Sequence, residues 1–201
     1  MHEPIPTLEG SFFTLRALIL EDAPAFQRYA DDQEVWLNLF AGFPSPFAMA
    51  DATAWCGGGS RAPGQGYVWG VEIDGEVIGC VSIRPDQGWL RCNAEVGYWI
   101  GQPFWQRGIT SAALIRVCAW AWATMPELTR IYAPIFLRNA GSQAVVKSCG
   151  FELESIFGKS AIKAGEVIDR TQWALMRPAK PSRDGLSDTF AADPDNVSSS
   201  E

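Results

Sequence analysis

The stretch Ile100-Gly-Gln-Pro-Phe-Trp-Gln-Arg-Gly-Ile-Thr-Ser-Ala-Ala-Leu114 joins the two patterns that decide the fold. The residues before it alternate as in a strand, whereas the apolar residues from Leu114 to Met125 recur with helical spacing on one face. A strand that turns into a helix start exposes backbone N–H groups at the positive end of the helix dipole, where a phosphate can bind. One glycine at a helix start also fits an ordinary turn, so both interpretations stay open.

Further elements surround this junction. Asp74-Gly75 is a strong hairpin signal between strands at Tyr67 to Ile73 and Glu76 to Arg84, and Trp89 to Ile100 continues the meander. The remaining predictions are strands at 12–16, 130–135, 151–157 and 167–176, and helices at 21–30, 32–38, 49–56 and 141–149. Antiparallel strands followed by strand-helix-strand-helix-strand predict an α/β fold with a mixed sheet.

The composition excludes several chemistries. The 201 residues are 47% hydrophobic, enough for one well-packed domain. The single histidine, His2, lies at the N-terminus, which disfavours a Ser-His-Asp triad, a Cys-His pair and a histidine-rich zinc site. The five cysteines are scattered and form no CxxC motif, so we expect small buried hydrophobes in a reducing cytosol.

The composition of the chain ends and the net charge bear on the domain bounds, the partners and the location. Residues 1–177 are predicted to form a single domain. Residues 178–201 are predicted to form a disordered acidic tail, because this segment has few large apolar residues and no periodic hydrophobic pattern. The net charge of −7, of which −3 lies in the tail, disfavours nucleic acid and anionic membranes and mildly favours a cationic substrate. No signal peptide or membrane-spanning stretch is indicated, so the predicted location is cytoplasmic.

Several segments together resemble a known superfamily. Trp105 to Leu114 resembles the acetyl-CoA pyrophosphate loop of the GNAT N-acetyltransferases, and Asn139-x-x-Ser142 followed by Lys147-Ser-Cys-Gly-Phe151 resembles that superfamily's next motif. Four further segments are similar to the RimJ/RimL-like branch: Phe13-Thr-Leu-Arg16, Leu20-Glu-Asp-Ala23, Phe43-Pro-Ser-Pro-Phe47 and Ala94-Glu-Val-Gly-Tyr-Trp99. The resemblance covers roughly residues 10 to 177 in order. It implies a mixed, mostly antiparallel sheet with helices on both faces.

The resemblance also implies a reaction, the direct transfer of an acetyl group from acetyl-CoA to a primary amine in a ternary complex without a metal. Glu95 is the implied general base, and Ser142 would hydrogen-bond the departing thiolate. Asn139 would hold the pantetheine or adenosine end, and backbone N–H groups near Trp99 to Gly101 would polarise the thioester carbonyl. The full set of implied cofactor-binding residues is Trp99, Ile100, Gly101, Gln106, Arg107, Gly108, Ile109, Thr110, Ser111 and Asn139.

Plainer interpretations and departures from the family pattern stand beside this one. A carboxylate such as Glu95 within an alternating strand normally faces solvent, and Asn139 or Ser142 can simply cap a helix. Thr110 replaces the usual glycine or alanine of the loop, and Val146 stands where many relatives place a tyrosine general acid. A non-catalytic acyl-CoA-binding module is therefore an alternative, as is an enzyme that uses a longer acyl donor.

The acceptor stays open between a protein N-terminus, an antibiotic, a polyamine and another small amine. We expect the surface that faces it to involve Trp36 to Phe47 and a loop from Gly158 to Glu166. Deprotonating a lysine-like amine of pKa about 10.4 at pH 7 costs roughly 4.6 kcal/mol, against about 1 kcal/mol for an α-amine of pKa near 7.8. The oligomeric state is expected to be a monomer or a homodimer.

Overall fold

The computed structural model describes residues 5–40, 42–58 and 66–178, and most of the predicted tail, like His2, lies outside these residues. Eight strands form one sheet in the order β1-β2-β3-β4-β5-β6-β8-β7. The strands are β1 (Leu8–Glu9), β2 (Thr14–Arg16), β3 (Tyr67–Ile73), β4 (Glu76–Pro85), β5 (Asn93–Ile100), β6 (Arg130–Phe136), β7 (Glu152–Lys163) and β8 (Glu166–Met176). Only β5 and β6 run parallel in this sheet, which confirms the predicted mixed, mostly antiparallel architecture.

Five α-helices cover the two faces of the sheet. They are α1 (Ala23–Ala30), α2 (Gln33–Leu37), α3 (Met49–Cys56), α4 (Ile109–Thr124) and α5 (Ala140–Ser148). The hydrophobic side chains of α4 and α5 pack with one face of the sheet, and those of α1, α2 and α3 pack with the other. We call these the α4 face and the α1 face. None of the helices in the described ranges is long and apolar enough to cross a membrane.

Each central strand contributes alternate side chains to two hydrophobic cores, one on the α4 face and one on the α1 face. On β4, Val81 and Ile83 are buried on the α4 face, whereas Cys80 is buried on the α1 face. On β5, Val96 belongs to the first core and Trp99 to the second. Because successive strand residues point to opposite faces, strands buried on both sides read as nearly continuous apolar runs.

The sheet opens between its two parallel strands. The pairing of β5 with β6 covers only three residue pairs and ends at Glu95 opposite Tyr132, although β5 continues to Ile100 and β6 to Phe136. Beyond this point the two strands diverge and leave a V-shaped gap in the middle of the sheet. The turn from β5 into α4 and the start of α5 both lie beside this gap.

The sequence predicts most element bounds within a few residues, and the exceptions have local causes. The predicted strand from Trp89 begins only at Asn93, because a short 3-10 turn, Gly88–Leu90, precedes it. The predicted loop from Gly158 to Glu166 is wrong: β7 runs to Lys163 and pairs with β8 across a two-residue turn. Both turn residues, 164 and 165, have positive φ, as the central residues of a tight hairpin require.

Candidate active site

The open edge of β5 is the first component of the candidate site. Hydrogen bonds from Asp86 N to Asn93 O and from Gly101 N to Ile78 O fix which β5 residues bond to β4. Since bonding alternates along an antiparallel pair, residues 93, 95, 97 and 99 direct their backbone groups to β4. The backbone groups of Tyr98 and Ile100 therefore face the gap, where β6 no longer pairs with them.

The direction of these backbone groups decides which N–H of residues 99 to 101 could polarise the thioester carbonyl. The N–H of Gly101 donates to Ile78 O at 2.8 Å, so it is not available to polarise a carbonyl, which corrects the prediction for this residue. Its lack of a side chain has a packing reason, because a Cβ there would lie 2.6 Å from the ring of Tyr29. The amide of Trp99 faces β4 and its ring is buried on the α1 face. Of residues 99 to 101, only Ile100 presents its N–H to the gap.

The turn that follows β5 is held open by its own contacts. A 3-10 turn, Gln102–Phe104, reverses the chain, and the indole N–H of Trp105 donates to Ile100 O at 2.8 Å. Gln106 and Gly108 then adopt left-handed backbone conformations, with φ of 61° and 73°. No atom lies within 4 Å of a Cβ built on Gly108, so its glycine is needed for φ and leaves free space in front of the helix start.

The backbone amides of this turn are unpaired. Across the described part of the chain, none of the N–H groups of residues 106–111 has a hydrogen-bond acceptor. Arg107 is exposed beside them, with its guanidinium 5.5 Å from the ring centroid of Phe104. A series of free N–H groups at the positive end of the 16-residue helix α4 is suited to bind a pyrophosphate.

The first turn of α4 shows how the predicted loop residues divide their roles. The side chain of Ile109 is buried in the α4-face core, and Thr110 is half-buried, so both can offer only limited side-chain contact to a ligand. The hydroxyl of Ser111 lies 2.9 Å from that of Ser148 on α5, and the thiol of Cys149 donates to Ser111 O at 3.4 Å. Ser111 thus braces α4 against α5, and only its N–H faces the open turn.

Asn139 and Ser142 form an interlocked cap at the start of α5, which confirms the N-cap interpretation. Asn139 Oδ1 accepts from Ser142 N at 3.0 Å, and Asn139 Nδ2 donates to Ser142 Oγ at 2.9 Å. Because Ser142 Oγ accepts this bond, its own hydrogen is free to be donated elsewhere. The cap therefore prepares Ser142 as a hydrogen-bond donor.

Tyr98 connects the two sides of the gap and is not among the site residues that the sequence predicts. Its hydroxyl donates to Ser142 O at 2.9 Å, and burial raises the pKa of this phenol, so it stays a neutral donor. Strand alternation from Glu95 could have placed Tyr98 on the α4 face, toward α5. Val146, at the position of the family's tyrosine, is fully buried in the core on that face.

Glu95 lies on the α1 face at the apex of the gap. Its carboxylate accepts a hydrogen bond from Arg84 at 2.7 Å, and its side chain is 30% exposed. The hydroxyl of Tyr132, across the parallel pair, lies 3.5 Å from Glu95 and 3.2 Å from Asp86 Oδ1. Burial, together with the carboxylates of Glu95 and Asp86, raises the pKa of Tyr132 to about 12. The Glu95 carboxylate is therefore partly solvated and lies beside two neighbours that hold it in place.

The described residues contain no group of three or more histidine, cysteine, aspartate or glutamate side chains that could hold a metal ion. The five cysteines are all free thiols, of which Cys56, Cys80 and Cys118 are buried and two are half-buried. Burial raises the pKa of the Cys80 and Cys118 thiols to about 12, so neither is a reactive thiolate. The polar chemistry beside the gap therefore rests on a carboxylate, hydroxyls and backbone amides.

Comparison with known proteins gives this geometry a context. Residues 13–152 match the family model described as an acetyltransferase (GNAT) domain. The chain is 26% identical over 116 residues to the uncharacterized N-acetyltransferase YoaA of Bacillus subtilis, and 33% identical over 110 residues to the L-amino acid N-acetyltransferase AaaT of Escherichia coli. These matches span 57% and 52% of this chain but 64% and 65% of the relatives, less than two thirds of their length.

Solved structures share the fold over a longer stretch. Mycobacterium smegmatis RimJ, in complex with CoA-disulfide, superimposes with a TM-score of 0.72 at 25% identity, covering 87% of this chain and 86% of that one. The share of the chain that this structure covers is larger than residues 13–152, which the family model matches. The neighbours include a RimJ protein, as the resemblance to the RimJ/RimL-like branch implies.

Proposed function

Because the chain belongs to the GNAT acetyltransferase domain family, we propose that it transfers the acetyl group of acetyl-CoA directly to a primary amine. The observation that supports this most is the combination of a split between β5 and β6 with an open, amide-lined turn at the start of α4. We propose a cytoplasmic location, in line with the five free thiols. The acceptor amine and a monomeric or dimeric state are part of the same proposal.

The residues that would hold acetyl-CoA fit a pyrophosphate and a pantetheine chain. The N–H groups of residues 106–111 and the side chain of Arg107 offer charge and donors to the pyrophosphate, and Gly108 leaves space for it. The N–H and C=O of Tyr98, on the unpaired edge of β5, offer strand-like hydrogen bonds to the amides of pantetheine. Acetyl-CoA would supply an activated thioester at the gap.

The chemistry then follows from which groups face the gap. The N–H of Ile100 would donate to the thioester oxygen, where negative charge develops during attack. Glu95, held in place by Arg84, would take the proton of the attacking amine through a water. Ser142, whose hydroxyl hydrogen is left free by Asn139, would donate to the departing thiolate. Asn139 and Tyr98 are positioning residues in this proposal, because both act on Ser142.

The test is the Glu95→Gln variant with Glu127→Gln as the matched control. Glu127 also pairs with an arginine, Arg91, but both side chains are 65% exposed. We expect Glu95→Gln to lower kcat by roughly 10²- to 10⁴-fold, because a general base contributes that much. The affinity for CoA, measured by calorimetry, should stay within about twofold, since Glu95 lies away from the amide-lined turn.

Two results would contradict the proposal. An unchanged kcat in Glu95→Gln would remove Glu95 from the mechanism while leaving the acetyltransferase activity intact. Binding of CoA without thiol release, across a panel of N-terminal peptides, polyamines and aminoglycosides, would favour the non-catalytic acyl-CoA-binding module instead.

A further inference from the structure

Lys163, at the end of β7, is a buried lysine without a carboxylate partner among the described residues. Its exposed fraction is only 2%, and its Nζ lies 4.0 Å from the ring centroid of Trp36 and 3.4 Å from Phe40 O. A lysine has three N–H donors, and the one long hydrogen bond to Phe40 satisfies one of them weakly. Buried ammonium groups are costly unless an anion accompanies them.

The same molecule shows what a satisfied buried charge looks like. Asp22 is 7% exposed, and it accepts two hydrogen bonds of 2.8 Å from the guanidinium of Arg16 and a third from the N–H of Ile19. Lys163 has no comparable set of partners in the described ranges. The contrast indicates that the anion which suits Lys163 comes from outside these residues.

Two arginines add positive charge on the same face of the sheet: Arg138 beside Lys163, and Arg170 further along β8. Arg138 donates to Leu37 O, at the end of α2. Among the described residues it reaches only one carboxylate, that of the 75% exposed Glu166, at 3.9 Å. Burial and the charge of Arg138 both lower the pKa of Lys163, so the two cations are close enough to repel each other. A nearby anion would relieve this repulsion as well as the cost of burial.

Arg170, like Lys163, has a buried nitrogen that lacks a suitable partner among the described residues. Its Nε is a buried side-chain nitrogen without a hydrogen-bond partner in the described part of the chain. Its guanidinium carbon lies 5.1 Å from the ring centroid of Phe157, and its Cα partner across the ladder is Phe136. An orphaned buried donor is uncommon in native proteins and calls for a partner such as a ligand or an ion.

These three cations lie on the acceptor side of the gap. Strand register places Arg170 on the same face as Tyr132 and hence as Glu95, the α1 face. Arg138 immediately precedes the cap residue Asn139, and Trp36, which covers Lys163, packs with the α1-face core that contains Trp99. Trp36 therefore links Lys163 to the core cluster that contains Trp99, near the end of β5, where the acetyl group would be presented.

We propose that Arg138, Lys163 and Arg170 form a subsite for an anionic group, a carboxylate or a phosphate, carried by the acceptor amine. The inference rests on the proposed function, because it assigns a class of acceptor to the same gap. It runs against the net charge of −7, since the local charge, not the sum over the chain, faces the substrate. Charge-assisted bonds from arginine and lysine fit both anions.

The experiment compares acceptors that differ only in the anion. Ethanolamine has none, serine adds a carboxylate and phosphoethanolamine adds a phosphate, while phenethylamine and phenylalanine form an aromatic pair. We expect the wild-type kcat/KM to be at least about tenfold higher for an anionic member than for its neutral partner. Serine and phosphoethanolamine distinguish the two anions.

Lys163→Met tests the residue itself, because methionine fills the buried space without the charge. We expect it to remove about tenfold or more of kcat/KM for the anionic acceptor and less than about twofold for the neutral one. Arg116→Met, which removes an exposed cation from α4, is the matched control and should change neither. Equal losses on both acceptors, or no preference in the wild type, would overturn the subsite.

A binding measurement separates this inference from the proposed function. If wild type releases no thiol with any of the five amines, calorimetry on the CoA-bound protein compares phenylalanine with phenethylamine and serine with ethanolamine. Tighter binding of an anionic member, lost in Lys163→Met, would support the subsite although the transfer reaction had failed. Equal binding within each pair would overturn it.

Discussion

Gly108→Ala is the substitution that best tests the amide-lined turn, because the structure separates its cost to folding from its cost to ligand binding. The residue has φ of 73°, and no atom lies within 4 Å of the added Cβ. Folding therefore loses only the left-handed strain of an alanine, about 1 kcal/mol. For a domain of this size that corresponds to a decrease in Tm of roughly 2–4 °C.

The cost to CoA binding is expected to be larger. A methyl group at residue 108 occupies the space through which a phosphate would approach the N–H groups of residues 106–111. Losing one charge-assisted hydrogen bond costs about 1.5–3 kcal/mol. This loss corresponds to an affinity for CoA that is roughly 10- to 100-fold weaker. Calorimetry with CoA measures it directly.

Gly75→Ala provides the matched control. Gly75 lies in the β3–β4 hairpin with φ of 82°, and a Cβ there also meets nothing within 4 Å. Both variants should lose the same stability in thermal unfolding, but only Gly108→Ala should weaken CoA binding. If the two variants bind CoA equally well, the pyrophosphate does not approach Gly108 and the reasoning about this turn is wrong.

Two predictions concern stability. Asp22→Ala removes the buried partner of Arg16, which keeps its pair with Glu72, and should lower the free energy of unfolding by about 2 kcal/mol. Glu127→Ala, which breaks an exposed pair, should cost less than about 1 kcal/mol in the same urea titration. Burial and Glu95 hold the pKa of folded Tyr132 at about 12, above the value near 10 of an unfolded chain. The folded state therefore retains a proton that the unfolded chain loses, so stability should fall as the pH rises from about 10 to 12, and Tyr132→Phe should flatten this part of the profile.

The sequence predicts the elements around the main junction well, because their signals are local. The hairpin at Asp74-Gly75 needs two residues with positive φ, and aspartate and glycine supply them. The turn at Ala164 and Gly165 has the same geometry but a weaker signal, since alanine seldom adopts positive φ. The sequence therefore predicts a loop from Gly158 to Glu166, whereas the structure continues β7 to Lys163, and the loop prediction conceals the buried position of this lysine.

The candidate site is predictable only in part, for a similar reason. Ser142 and Asn139 can be assigned to a helix start from their spacing alone, and the cap confirms it. Whether a given N–H of β5 faces β4 or the gap depends on the strand register, which no single segment contains. The exclusion of Gly101 and the selection of Ile100 follow from two hydrogen bonds that join residues 7 and 23 positions apart. Arg170 and Tyr132 likewise come into view only when the sheet order is known.

Strand β5 separates two sets of side chains at the candidate site. The alternation of β5 sends Glu95 and Trp99 to the α1 face and Tyr98 and Ile100 to the α4 face. In the proposed function, the base and a wall for the acceptor would thus lie on one side of the same backbone, whereas the hydrogen bond from Tyr98 to Ser142 lies on the other. Because β6 ends its pairing at Glu95, the backbone between these faces is itself exposed and can bond to a ligand. An insertion of one residue in β5 would exchange the two sets of side chains, so we expect this segment to tolerate no change in length.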